Sequence, residues 1–208
     1  MRIQRTLVAV AALAVLSLPA AAQKMTGAHP AGAIPAPVLM DTTGLFLQRF
    51  AKVGDDLFIS GQPTENGLRE LKKRGVTVVV NLRTPPEMAR IGFDEPKLIE
   101  ELGMKYVYLP VRGDSTAPYS PATVASFAKV METATGPVAL HCTIAWRASH
   151  LYAAYLIKYR GVEVDKALAA GNAINMSGYD PRTPGRQPVE AFLDRDIPTL
   201  KHTPAKAP

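Results

Sequence analysis

With a single cysteine, Cys142, among 208 residues, the chain can form no internal disulfide. It has one tryptophan, and its four histidines (His29, His141, His150 and His202) lack the spacing that holds a metal ion. No internal repeat and no nucleotide-binding glycine motif is present, and after the first 22 residues no apolar run approaches the length of a bilayer span. Neither a metal nor another cofactor is therefore expected. Positive charge is in only slight excess. Residues 1–22 hold Arg2, Arg5 and no acidic residue, so the formal +6 falls to +4 without them. The one basic run, Lys72-Lys73-Arg74, sits at the expected end of a helix, where cations complement the helix dipole. Nucleic acid is not an expected partner.

What is present begins with an export pattern. Two arginines precede an apolar stretch from Leu7 to Leu18, and Pro19-Ala20-Ala21-Ala22 supplies small residues for cleavage before Gln23. The expectation is a signal peptide over 1–22, removed to leave an exported protein, periplasmic or secreted, without stable membrane insertion. Residues 23–42, rich in Ala, Pro and Gly, read as a flexible tether, and 198–208 as a disordered tail. Residues 43–197 then form one domain, large enough to bury a core without staples.

Within that domain strands and helices alternate. Leu57–Ser60 reads as a strand. Thr64 caps a helix with Leu68 and Leu71 inward and Gly75 at its end. Val76–Leu82 is a β-branched run, the signature of a strand covered on both faces. Asp94 opens a helix with Leu98, Ile99 and Leu102; Lys105–Val111 is the next strand; Ser120-Pro121 starts another helix. Val138–His141 is a strand that delivers Cys142 to a helix apolar nearly all round, and further helices fall at Val164–Ala170 and Pro188–Arg195. This order predicts an α/β fold with a mainly parallel central sheet flanked by helices. In such sheets ligands gather at the carboxyl ends of strands, where Cys142 falls.

A thiol between a buried strand and a helix N-terminus meets the positive end of the helix dipole and unpaired backbone N–H groups. Those surroundings favour thiolate and oxyanions. Arg147, five residues on, could add a bidentate guanidinium fork.

These residues resemble the cysteine-dependent, dual-specificity-like protein phosphatases, and more closely the bacterial phosphatase domain of beta-lactamase-hydrolase-like proteins. The resemblance runs from about Phe50 to Arg160. It is carried by Ile59-Ser60-Gly61-Gln62-Pro63, by Val80-Asn81-Leu82-Arg83 with Glu87, by Tyr108-Leu109-Pro110-Val111 and by His141-Cys142 with Arg147. It implies a cysteine-phosphatase-like fold in which Cys142 attacks phosphorus and Arg147 holds the phosphoryl oxygens. The N–H groups of Thr143, Ile144, Ala145, Trp146 and Arg147 would complete the cradle, and His141 would organise the loop by hydrogen bonding and help depress the thiol pKa, or be an ordinary strand-end residue. Asp114, 28 residues before Cys142, stands where the general acid is expected. It also suits a plain turn, and Asp180 is the substitute. Arg83 and Glu87 match a structural feature, an arginine that pairs with a carboxylate or braces a loop. The implied substrate is a phosphorylated small molecule or protein, such as phosphotyrosine or another aryl phosphate.

The loop departs from the common phosphatase pattern. Four residues rather than five separate Cys142 from Arg147, Ala145 replaces a glycine, and Ala148 replaces a hydroxyl residue unless Ser149 substitutes for it. Trp146 either walls the site or packs into the domain. The four-residue spacing also resembles rhodanese-type sulfurtransferases, in which Cys142 would carry a persulfide. A third reading is a domain that binds a phosphoanion without turnover.

Overall fold

The computed structural model describes residues 34–176 and 186–200. The leader assigned to 1–22, the first part of the tether, Asp180, His29, His202 and the last eight residues lie outside the described residues.

Six strands form one sheet: β1 (Val38–Leu39), β2 (Phe50–Val53), β3 (Leu57–Ser60), β4 (Val78–Asn81), β5 (Lys105–Tyr108) and β6 (Val138–His141). Their order is β1-β2-β3-β6-β4-β5. β3, β6, β4 and β5 are parallel, while β1 and β2 extend the β3 edge antiparallel. The helices are α1 (Glu65–Lys73), α2 (Pro85–Met88), α3 (Glu95–Glu101), α4 (Pro121–Thr133), α5 (Trp146–Tyr159), α6 (Val164–Ile174) and α7 (Pro188–Leu193).

The alternation of side chains across the pleat divides the core in two. Val78, Val80, Val138 and Leu140 join Ile59 in the larger cluster with α4 to α7, while Val79, Ala139 and Phe58 pack with Leu68, Leu71, Leu98 and Ile99 of α1 and α3. With both faces covered, β3, β4 and β6 are buried throughout, as a continuous apolar run requires. α5 is buried from Arg147 to Leu156, in keeping with its near-absence of a polar face. Caps fall where the sequence places them: Thr64, Asp94 and Ser120 each accept a first-turn N–H, and Gly75 has φ +83°.

Two boundaries are corrected. The tether expected over 23–42 already contains β1, which pairs Val38 with Lys52 and Leu39 with Ala51. A run of Ala and Pro around it hid a strand too short to show a period. At the other end Leu200 packs against the larger cluster, so the domain extends beyond residue 197.

Candidate active site

Cys142 stands one residue past β6, between β3 and β4 at the middle of the sheet, and is 1% exposed. The Ser60-Gly61-Gln62 segment binds the start of its loop edge to edge. Cys142 N donates to Ser60 O at 3.4 Å and Gln62 N donates to Thr143 O at 2.9 Å. Gly61 is required by that contact, because a Cβ there would strike the carbonyls of Leu47 and Thr143. The far side is braced by Asn175, whose Nδ2 donates to Ile144 O at 2.6 Å. Asn175 follows α6 in an unremarkable stretch, and nothing in the sequence singled it out.

Ala145 takes the left-handed conformation, φ 67° and ψ −6°, in which glycine carries no Cβ penalty. It is also the N-cap of α5 and offers no side-chain acceptor, so it leaves the first-turn N–H groups without the side-chain bond that a Ser or Asp cap would give. Ser149 Oγ donates back to Ala145 O at 2.8 Å and does not take the place of a hydroxyl after Arg147. Ala145→Gly should relieve a cost of about 1 kcal/mol and raise Tm by roughly 2–4 °C in thermal unfolding. A lower Tm would mean that the loop is not held at positive φ.

Arg147 is placed differently from the expected open fork. Its side chain is 7% exposed and forms a two-pronged pair with Glu87, Nη2 to Oε1 at 2.6 Å and Nη1 to Oε2 at 3.0 Å. Nη1 also donates to Val111 O at 2.7 Å and Leu82 O at 3.2 Å, and Nη2 to Thr143 Oγ1 at 3.0 Å. The guanidinium thus ties together the ends of β4 and β5, α2 and the cysteine loop. Burial works against its charge, but its electrostatic interactions with Cys142 and Glu87 and its hydrogen bonds to Glu87 hold its pKa above the ordinary value. Burial likewise opposes the Glu87 carboxylate. The bonds from Arg147 and Thr84 prevail and lower its pKa to about 2. Glu87 therefore does not pair with Arg83 through its carboxylate. Arg83 braces the loop instead, donating to Glu87 O at 2.9 Å and Gln62 Oε1 at 2.6 Å.

His141 is 1% exposed and points to the α3 side, the same parity as Asn81 on β4 and Ser60 on β3. Its Nε2 lies 3.2 Å from Oε1 of Glu95, a carboxylate with no exposure at all. Asn81 Nδ2 donates to the same oxygen at 2.8 Å, and Gln62 Nε2 donates to Oε2. Burial pushes the Glu95 pKa up, but His141 and Gln62 more than offset it and hold it below the usual range. The sequence shows Glu95 only as an acid in a first helical turn, the signature of an exposed dipole partner; its burial follows from tertiary packing.

Asp114 lies in an exposed turn. Its Oδ1 accepts from Thr116 Oγ1 at 2.6 Å and from the N–H groups of Thr116 and Ala117 at 3.0 Å each, while Oδ2 is 3.7 Å from Arg112 Nε. The Thr116 hydroxyl leads in holding its pKa low. These bonds are those of an aspartate in a turn and leave its place as general acid open; among them none runs to Cys142 or Arg147. Trp146 is half-buried and packs edge-on against His150, with ring centroids 4.6 Å apart, so packing prevails over an open wall.

Beside the loop a cleft of about 860 Å³ opens over Thr143. Phe46, Leu47, Ile91 and Phe93 give it an apolar wall, and Arg83 and Arg90 give it cations.

Residues 51–191 match the family described as DSP-PTPase phosphatase fused to NAD+ kinase. A beta-lactamase hydrolase-like protein of Xylella fastidiosa is 30% identical over 134 residues, which cover 64% of this chain and 30% of that protein. The chain thus spans less than a third of that relative. A DUF442 protein of Shewanella putrefaciens has a similar structure at 28% identity and TM-score 0.52, covering 68% of this chain and 89% of the other. TpbA of P. aeruginosa, solved with phosphotyrosine, shares the fold at 19% identity and TM-score 0.52 over 66% of this chain and 77% of its own. Together with an α/β sheet that ends in a cysteine loop, the family match establishes that this chain belongs to the DSP-PTPase phosphatase family.

Proposed function

We propose that the chain hydrolyses phosphomonoesters through a cysteinyl-phosphate at Cys142. The observation that carries this reading is the position of Cys142, at the carboxyl end of the central strand and ahead of a helix whose N-cap has no side-chain acceptor. Sγ would attack phosphorus as the bond to the leaving oxygen breaks, with the negative oxygens held by the N–H groups of the loop. The leaving oxygen takes a proton, and water then cleaves the S–P bond, releasing phosphate and restoring the thiolate. Arg147 would act from behind the loop: its charge favours thiolate and phosphoryl group alike, while Glu87 fixes its plane. The apolar wall and cations of the neighbouring cleft suit an aryl phosphate.

Asp114 is the proposed proton donor, with Oδ2 outside the turn bonds. The test is turnover of p-nitrophenyl phosphate and of an alkyl phosphate by the wild type and Asp114→Asn. A general acid should cost the variant about 10²-fold on the alkyl ester and much less on nitrophenolate, which leaves unaided. Equal losses on both would reduce Asp114 to a turn residue. Wild-type protein that turns over neither ester would overturn the hydrolytic reading.

A second reading, a phosphoanion-binding domain without turnover, is favoured by the engagement of both Nη groups of Arg147 and the burial of Cys142. Vanadate binding without product release would select it. Membership of a phosphatase family favours phosphoryl over sulfur transfer.

A further inference from the structure

A planar peptide carries its N–H opposite its carbonyl, so the side on which each carbonyl of the cysteine loop is held decides where the following N–H points. Three successive carbonyls are held. Thr143 O accepts from Gln62 N at 2.9 Å, and Ala145 O accepts from Ser149 N at 2.9 Å and Ser149 Oγ at 2.8 Å. The first donor belongs to the chain leaving β3 and the second to the opening of α5, so backbone geometry sets both. Ile144 O, between them, has one donor among the described residues, the side chain of Asn175, with Nδ2 at 2.6 Å. Asn175 reaches it because α6 lies close on α5. A Cβ at Gly171 would stand 3.2 Å from Ser149 O and 3.4 Å from Ala153 Cβ, and Asn175 ends the helix one turn later with its N–H on Gly171 O at 3.1 Å.

The peptide that Asn175 holds is also the one with an alternative. Ala145 has φ 67° and ψ −6°, the angles of the third residue of a type II turn, ideally about +80° and 0°. Half a rotation of the Ile144–Ala145 peptide gives the type I form of the same segment, with φ about −90° at Ala145, a conformation that costs alanine nothing. A glycine would keep the type II form unaided, and alanine does not. The bond from Asn175 opposes the rotation, which would carry Ile144 O away from its donor. We infer that Asn175 is a positioning residue that selects between the two peptide orientations, keeping the Ala145 N–H on the Cys142 side of the loop and the Ile144 carbonyl off it. The use of that N–H rests on the function proposed above: the selected form offers the phosphoryl oxygens a donor, and the rotated form meets them with a carbonyl that repels them.

Carbon chemical shifts of Ala145 test the orientation without any ligand, because they differ between positive and negative φ. In the wild type they should report positive φ, and in Asn175→Ala they should move to the negative range. Wild-type shifts already in that range, or shifts that stay in place in the variant, would overturn the inference. Vanadate affinity tests the consequence. Asn175→Ala should weaken binding about tenfold, in line with the loss of one hydrogen bond. In an Ala145→Gly background, where glycine keeps the turn, the same change should cost about threefold or less. Equal losses in the two backgrounds would show that Asn175 does not act through the turn and would overturn the inference. Asn175→Leu, of similar shape but without a donor, should repeat the alanine result and separates the bond from packing. Wild-type protein that binds no vanadate would overturn the phosphoanion reading, while the Ala145 shifts would still decide what Asn175 does.

Discussion

Cys142→Ser is expected to abolish phosphomonoester turnover, lowering kcat by about 10⁴-fold or more, as removal of a nucleophile from a set of groups that act as a unit does. Serine is nearly the same size, so the loop and its N–H groups should persist, and phosphate or vanadate should still bind. What is lost is the sulfur nucleophile. A hydroxyl at this position would need a base, and His141, its neighbour along the chain, is turned toward Glu95, where its Nε2 lies 3.2 Å from Oε1. Steady-state release of nitrophenol from the wild type and the variant, with binding followed separately, checks this. Loss of binding together with turnover would point to collapse of the loop instead. Full retention of hydrolysis would remove Cys142 from the chemistry altogether.

Why the variant's loop should survive is also why part of this site could be read from sequence and part could not. Cys142 was legible because three local signals coincide there: an apolar strand, a short turn and a long apolar helix. The strands β3, β4 and β6 and the caps at Thr64, Asp94 and Ser120 were legible for the same reason, since each is a short-range pattern. The partners of the site lie far along the chain. Glu87 is 60 residues from Arg147 and Asn175 is 31 from Ile144, and each looks locally like an ordinary helix-end residue. One clue to the buried network was present. Ser60, Asn81 and His141 are the last residues of three neighbouring strands and, by alternation, face one side of the sheet. Three polar residues ending apolar runs in step mark a polar layer that some charged group must meet. They do not say that the group is Glu95, because that depends on how α3 crosses the strand ends.

The same long-range dependence makes Glu87 the position outside the nucleophile where substitution should cost most. Arg147 is 5% exposed, and Glu87 is its sole carboxylate partner among the described residues. Glu87→Ala leaves a buried guanidinium with two carbonyls and a hydroxyl but no negative charge at close range. Breaking such a pair from one side costs about 3–5 kcal/mol. The Glu87 side chain is 21% exposed, so water can partly replace it and the lower figure, about 3 kcal/mol, is expected. For a domain of this size that lowers Tm by roughly 6–12 °C. The effect has a pH signature. Because the folded-state pKa is near 2 against an ordinary 4.5, Glu87 stabilises the wild type fully above pH 4.5, and that contribution is lost as pH falls through this interval toward 2. The gap in stability between wild type and Glu87→Ala should therefore be widest near neutrality and close on acidification, as followed by denaturant unfolding at a series of pH values. A loss below about 1 kcal/mol at neutral pH, the range of exposed ion pairs, would show that Arg147 does not depend on Glu87 and is free to turn its fork toward an incoming anion.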